Sequence, residues 1–160
     1  MARYTDLAVT ADSEGIYDLT IDKSARDFDT TAGLESASFV SLFSDRRAAA
    51  DEVSDPMKRR GWIGNLVSDV PGDNHGSGLW LYEQRRLTPD VAAGLRLEAE
   101  ASHQWMIDTR LANSVSAEVV NDPVGRAARL VLTLQEASGN KTSKAFILVD
   151  ATRNGILARF

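Results

Sequence analysis

The chain has 160 residues, a net charge of −5, a pI near 5.0 and no cysteine. That length suits one domain burying roughly 70% of the surface its unfolded form exposes, and the missing cysteines exclude disulfides, thiolate metal centres and cysteine nucleophiles. The acidic balance argues against a nucleic-acid binder, Met1-Ala2-Arg3-Tyr4-Thr5-Asp6 lacks a signal peptide's apolar run, and nowhere do about 18 apolar residues stand together, so a soluble protein without a visible export signal is expected.

The excess charge is local: residues 1 to 44 hold three basic and eight acidic side chains, and residues 45 to 160 hold fifteen of each. Within 1–30, residues 3 to 9 and 16 to 22 alternate, with Leu7 and Val9 on one face and Tyr17, Leu19 and Ile21 on one face. Ala11-Asp12-Ser13-Glu14-Gly15 between them is turn chemistry, which predicts an acidic N-terminal β-hairpin. Asp12, Glu14 and Asp18 lack the ligand order and glycine of a calcium loop, so no metal is expected. A helix is predicted within 31–44, capped by Thr30 or Thr31 and running from about Gly33 to Phe43.

Residues 45–87 form a loop-rich aromatic segment. Ser44-Asp45-Arg46-Arg47-Ala48-Ala49-Ala50-Asp51-Glu52 has no apolar period and predicts a surface excursion ending at Asp55-Pro56. The clusters Lys58-Arg59-Arg60 and Arg85-Arg86 are short and flanked by acids, which favours ion pairing over a nucleic-acid footprint. The glycine-rich run from Val70 to Gly78 lacks the lysine of a phosphate loop and predicts a structural turn. His75 and His103 are expected as solvated imidazoles.

Thr88-Pro89 marks a helix start, because threonine can cap and proline loses nothing at the first helical position. The spacing predicts one long helix over 88–107, with Val91, Leu95, Ala99, Ser102 and Trp105/Met106 inward and Arg96 and Glu100 four apart on the outer side. From 114 to 150 the period changes to two, and turn residues at Asn121-Asp122-Pro123-Val124-Gly125 and Ser138-Gly139-Asn140-Lys141 predict an antiparallel β-meander. Ile156 to Phe160 would then be an edge strand or a tail. The fold class is α+β, a single domain over 1–160 with an N-terminal β-hairpin, two helices and a C-terminal meander.

All three tryptophans, Trp62, Trp80 and Trp105, lie in the middle of the chain, where the largest apolar areas are available for a core or an interface. Trp80 and Trp105 are expected in the core, and Trp62, Arg60, Arg85, Arg86 and Arg110 at a partner surface. No Gly-x-Ser-x-Gly elbow and no His-Glu-x-x-His occur. A glycosidase pair such as Glu83 with Glu98 or Asp108 is chemically available, but nothing selects one pair over another. No cofactor and no catalytic residue is expected.

The order Leu42-Phe43-Ser44-Asp45-Arg46-Arg47-Ala48, Arg59-Arg60-Gly61-Trp62-Ile63-Gly64, Gly76-Ser77-Gly78-Leu79-Trp80-Leu81, Leu87-Thr88 and Trp105-Met106-Ile107-Asp108-Thr109-Arg110 resembles the baseplate wedge protein of Mu-like contractile-tail phages. That family is distantly similar to the sheath-initiator, lysozyme-like wedge subunit of contractile injection systems, whose members carry Glu-Pro-Arg after the long helix. Asp108-Thr109-Arg110 keeps the acid and the arginine and loses the proline. The resemblance implies a non-enzymatic virion subunit of the tail baseplate, assembled in the host cytoplasm in six copies. It would meet other wedge proteins through Asp108 and Arg110 and the tail sheath by strand addition to the meander, without nucleic acid, membrane or small-molecule substrate. The lysozyme-like label implies the alternative, a tail-associated peptidoglycan hydrolase using a carboxylate pair. A tail-assembly chaperone is a third reading.

Overall fold

The computed structural model describes residues 5–11, 17–24, 26–28, 30–32, 34–67, 75–83, 85–122 and 127–150. The chain divides into two compact units, one within residues 1–40 and one within residues 41–159.

In the first unit six short strands, β1 (Thr5–Leu7), β2 (Val9–Ala11), β3 (Tyr17–Leu19), β4 (Ile21–Asp22), β5 (Asp27–Phe28) and β6 (Thr30–Ala32), form three antiparallel pairs. β2 pairs with β3 as the alternation predicts, with Val9 opposite Leu19; the turn expected at residues 12–15 lies outside the described residues. β4 and β5 make a second hairpin that the alternation does not reveal. The Asp22 carboxylate closes its turn by accepting from the Ser24 N–H and hydroxyl at 2.8 and 2.6 Å, and Arg26 takes a left-handed φ of 56°. β1 and β6 close the set from outside. Thr30 and Thr31 therefore belong to β6, opposite Leu7 and Asp6, and do not cap a helix: the strand partner has taken their backbone. α1 (Glu35–Phe43) starts later, with Leu34 buried at its foot and the Ser36 hydroxyl donating to the Leu7 carbonyl.

The second unit is built on a three-stranded antiparallel sheet, β7 (Ala112–Asp122), β8 (Ala127–Glu136) and β9 (Lys141–Asp150), in that spatial order. Alternation works as expected. Leu130, Leu132 and Leu134 of the central strand are buried, with Ala117 of β7 opposite Leu132, while Thr133 on the other face shares a 2.9 Å hydroxyl hydrogen bond with Ser143. α2 (Pro89–Ala101) covers the apolar face with Val91, Leu95 and Ala99, and its Thr88 cap accepts from the Val91 N–H at 3.3 Å.

The single helix predicted over 88–107 is two. α3 (Gln104–Asp108) is separate, because the Ala99 carbonyl that should receive the His103 N–H is occupied by side chains. The Ser102 hydroxyl and His103 Nδ1 lie 2.9 and 2.8 Å from it, and the His103 N–H falls back to Glu100, one residue short of α-helical spacing. His103 is thus fully buried, not solvated; since a carbonyl only accepts, its Nδ1 carries the proton. α3 ends in a Schellman turn, with Arg110 at φ 61° and the Arg110 and Leu111 N–H groups bonded to the Ile107 and Met106 carbonyls at 2.9 Å. The chain thus turns sharply after α3 without the proline of the Glu-Pro-Arg pattern.

The cap and the core should separate in magnitude. Thr88→Ala is expected to cost about 1 kcal/mol, whereas Leu95→Ala, in a fully packed site, should cost about 2–5 kcal/mol; paired urea denaturation curves check both.

Candidate protein-docking surface

The candidate surface is built outward from residues 44–46, an extended segment that three other parts of the chain grip. Ser77 flanks it on one side, its N–H donating to Ser44 O at 2.8 Å and its carbonyl accepting from Arg46 N–H at 3.0 Å, while the Trp62 N–H donates to Asp45 O at 2.8 Å. The Ser77 hydroxyl donates to Leu42 O at 2.5 Å, and Trp80 Nε1 to Arg46 O at 2.9 Å. A surface excursion was expected here. Arg47 and residues 49–52 are exposed in keeping with that, whereas Ser44, Asp45 and Arg46 are only partly exposed and Ala48 is buried, because the Arg46 charge is neutralised from within.

That neutralisation is the Arg46 guanidinium. One edge forks onto Glu98 of α2, with Nε–Oε2 at 3.1 Å and Nη2–Oε1 at 2.8 Å; the other forks onto Glu52, with Nη1–Oε2 at 2.8 Å and Nη2–Oε1 at 2.6 Å. Glu98 Oε2 also accepts from the Gly78 N–H at 2.9 Å, and Glu52 Oε2 from the Ala49 N–H at 2.8 Å. The hydrogen bonds from Arg46 hold the Glu52 carboxyl down at about 2 against its usual 4.5, and the two carboxylates raise Arg46 further above its already high range. Two glycines make room. A Cβ at Gly78 would lie 2.4 Å from Glu98 Oε2, and one at Gly76, where φ is 108°, would lie 2.7 Å from the Ser44 carbonyl oxygen.

The hub presents the loop between Asp55 and Val67. Met57, Trp62, Ile63 and Val67 are 92, 51, 75 and 78% exposed, a run of large apolar side chains left in water on one loop. The loop is nonetheless held. The Trp62 ring lies against Gly64, where a Cβ would come within 2.1 Å of it, and meets the His75 ring edge-on at 5.3 Å. The Asn65 side chain bonds His75 through both its amide groups, at 3.0 and 3.1 Å. Arg59 donates to the carbonyls of Val53 and Ser54.

The sequence-selected residues fall into three places. Arg60 and Trp62 sit on this loop, Arg60 bonding Glu83 at 2.9 Å, lying 3.7 Å from Asp45 and stacking over Trp80 at 5.1 Å. Arg85 lies over Tyr82 at 5.2 Å, beside exposed Arg86. Asp108 and Arg110 are exposed at the end of α3, where Asp108 accepts from Gln104 at 2.9 Å. Trp80 is buried as expected; Trp105 is half-buried, with Nε1 donating to Ser41 at 3.0 Å. Sequence reading missed Arg46, Glu52 and Glu98 as a unit, and Met57, Ile63 and Val67 as a surface. The only signal for the former was a glycine on each side of Ser77, and the latter have no periodicity.

Of the carboxylates named as examples of a hydrolytic pair, Glu83 and Glu98 are each bound to an arginine, with both Glu98 oxygens taken, and Asp108 accepts from Gln104.

A sequence profile of the family described as phage protein GP46 matches residues 34–141. The chain is 40% identical over 80 residues to baseplate protein gp46 of Escherichia phage Mu, covering 49% of this chain and 51% of that protein. It is 27% identical over 113 residues to Mu-like prophage FluMu protein gp46 of Haemophilus influenzae, covering 71% of this chain and 76% of that one. The chain thus spans about half the length of the phage Mu relative it matches.

The hub makes a pH-dependent contribution of known sign. Because the Glu52 pKa is lowered on folding, its stabilisation is complete above about 4.5 and drains away as pH falls towards about 2. Glu52→Gln should flatten the acid limb of a stability-versus-pH curve in that window. Arg46→Lys, which cannot fork onto two carboxylates, should cost about 2–3 kcal/mol at neutral pH by thermal or urea unfolding.

Proposed function

The chain belongs to the phage protein GP46 family, and on that premise we propose that it is a structural subunit of a phage tail baseplate, resident in the virion. The observation that carries the reading is the loop of Met57, Trp62, Ile63 and Val67, exposed to water yet fixed by hydrogen bonds to a charged hub. A preformed apolar surface loses little freedom when a partner covers it, which suits a permanent assembly.

In this reading the neighbours on the loop are other wedge proteins of the baseplate, with Arg60 and Trp62 at the contact and Arg85, Arg86, Asp108 and Arg110 adding ion pairs around it. The meander joins the tail sheath by strand addition, in which main-chain bonds give affinity and alternating side chains give register. Six copies per baseplate, assembled in the host cytoplasm, complete the picture. The role needs no catalysis: Glu98 is occupied by Arg46 and Gly78, so it is placed to hold the loop rather than to move a proton.

Purified protein incubated with the separate tail proteins of its phage tests this. Trp62→Ala/Ile63→Ser should lower partner affinity at least roughly tenfold, as loss of an aromatic anchor does, while unfolding free energy changes by no more than about 1 kcal/mol. Arg110→Gly should remove the side chain yet keep or improve the left-handed turn, so any lost binding belongs to the guanidinium. Wild-type binding by all of these variants, or clearing of cell-wall substrate by the protein alone, would overturn the reading.

A further inference from the structure

A three-stranded sheet has two edges, β7 and β9, and a strand-adding partner must choose between them. The β7 edge is engaged at its middle. The Ala117 N–H, in the middle of β7, donates to Glu100 Oε1 of α2 at 3.1 Å instead of bonding along the β8 ladder. A backbone N–H directed off the outer side of an edge strand is where an added strand would place a carbonyl. Here a carboxylate from the helix takes that place. The other oxygen, Glu100 Oε2, accepts from Arg96 Nη1 at 2.7 Å, one turn back on α2, so the carboxylate is aimed rather than swinging. α2 is pinned against β7 by buried Leu95, Ala99 and Ala117. On β9, Lys141, Ser143, Lys144 and Ala145 are exposed.

We infer that Glu100 is an edge guard, a side chain that mimics a strand acceptor on β7, denies that edge to another strand, and so assigns strand addition to β9. This deepens the baseplate reading, on which it rests for the existence of an adding strand, by naming the edge. The guard also answers a problem of the free subunit. β7 spans eleven residues, Ala112–Asp122, and without the guard its edge would be open to β7 of a second copy.

The test uses this chain alone. In wild type the Ala117 amide should exchange slowly with solvent and the protein should not self-associate through β7. Glu100→Ala should speed exchange at Ala117 by about tenfold or more, the scale of a lost hydrogen bond to a charged group, and should produce concentration-dependent association in sedimentation velocity. Introducing Val119→Lys on the same strand should suppress that association. Glu100→Asp keeps the charge and the helix while withdrawing the carboxylate by one methylene, and should behave like Glu100→Ala if the latter fails to fold. Glu100→Gln keeps an acceptor and should stay protected and unassociated. A folded Glu100→Asp or Glu100→Ala protein with unchanged Ala117 exchange, or with fast exchange and no association, would overturn the guard. Because no tail protein enters the experiment, that result leaves the baseplate reading untouched, and a failure to bind tail proteins leaves the guard standing.

Discussion

Arg46 carries five N–H donors in a rigid plane, and the second unit is arranged so that two carboxylates, Glu52 and Glu98, accept four hydrogen bonds from them. A partly buried guanidinium is costly unless its charge and its donors are both satisfied, and a half-filled fork would leave part of that cost in place. Satisfied, it fixes residues 44–46 as an extended segment and lets the backbone of Ser77 and Trp62 and the indole of Trp80 close on it. The glycines at 76 and 78 follow from the same constraint, since a side chain at either would strike the hub.

α2 links this hub to the sheet through two glutamates on opposite flanks. Glu98 reaches Arg46 and Gly78, Glu100 reaches Ala117 of β7, and Ala99 between them is fully buried. The helix therefore gains from polar contacts on both sides of its apolar stripe. That makes its orientation specific in a way that Leu and Val packing alone would not enforce, because hydrogen bonds to a carboxylate are directional and apolar burial is not. Segments that stood out in the sequence converge here as well: residues 42–48 meet both Gly61-Trp62 and Gly76-Ser77-Gly78, and Trp105 reaches Ser41. The exposed loop is what this wiring displays.

The exposed loop follows from the hub's rigidity. Apolar side chains in water are ordinary when scattered; Met57, Trp62, Ile63 and Val67 on one pinned loop are not, since a free protein gains nothing by holding them there. The partner proposed for this loop would remove the anomaly.

The sequence by itself determined the local features. Thr88 followed by proline fixed the start of α2, alternation over the last third fixed the meander and its buried leucines, and the chain-long order of short motifs pointed to the family. These depend on neighbours three or four residues away or on simple period, which a linear reading captures. Tertiary structure decided the rest. Arg46 and Glu98 lie 52 positions apart, so a run of charges that reads as solvated surface became the centre of the unit. The Ala99 carbonyl went to Ser102 and His103, which split one predicted helix in two and buried an imidazole expected in water. β6 claimed the threonines of an expected cap. In each case the local propensity was real, and a partner distant in sequence or a side chain competing for one backbone group offered a larger free energy.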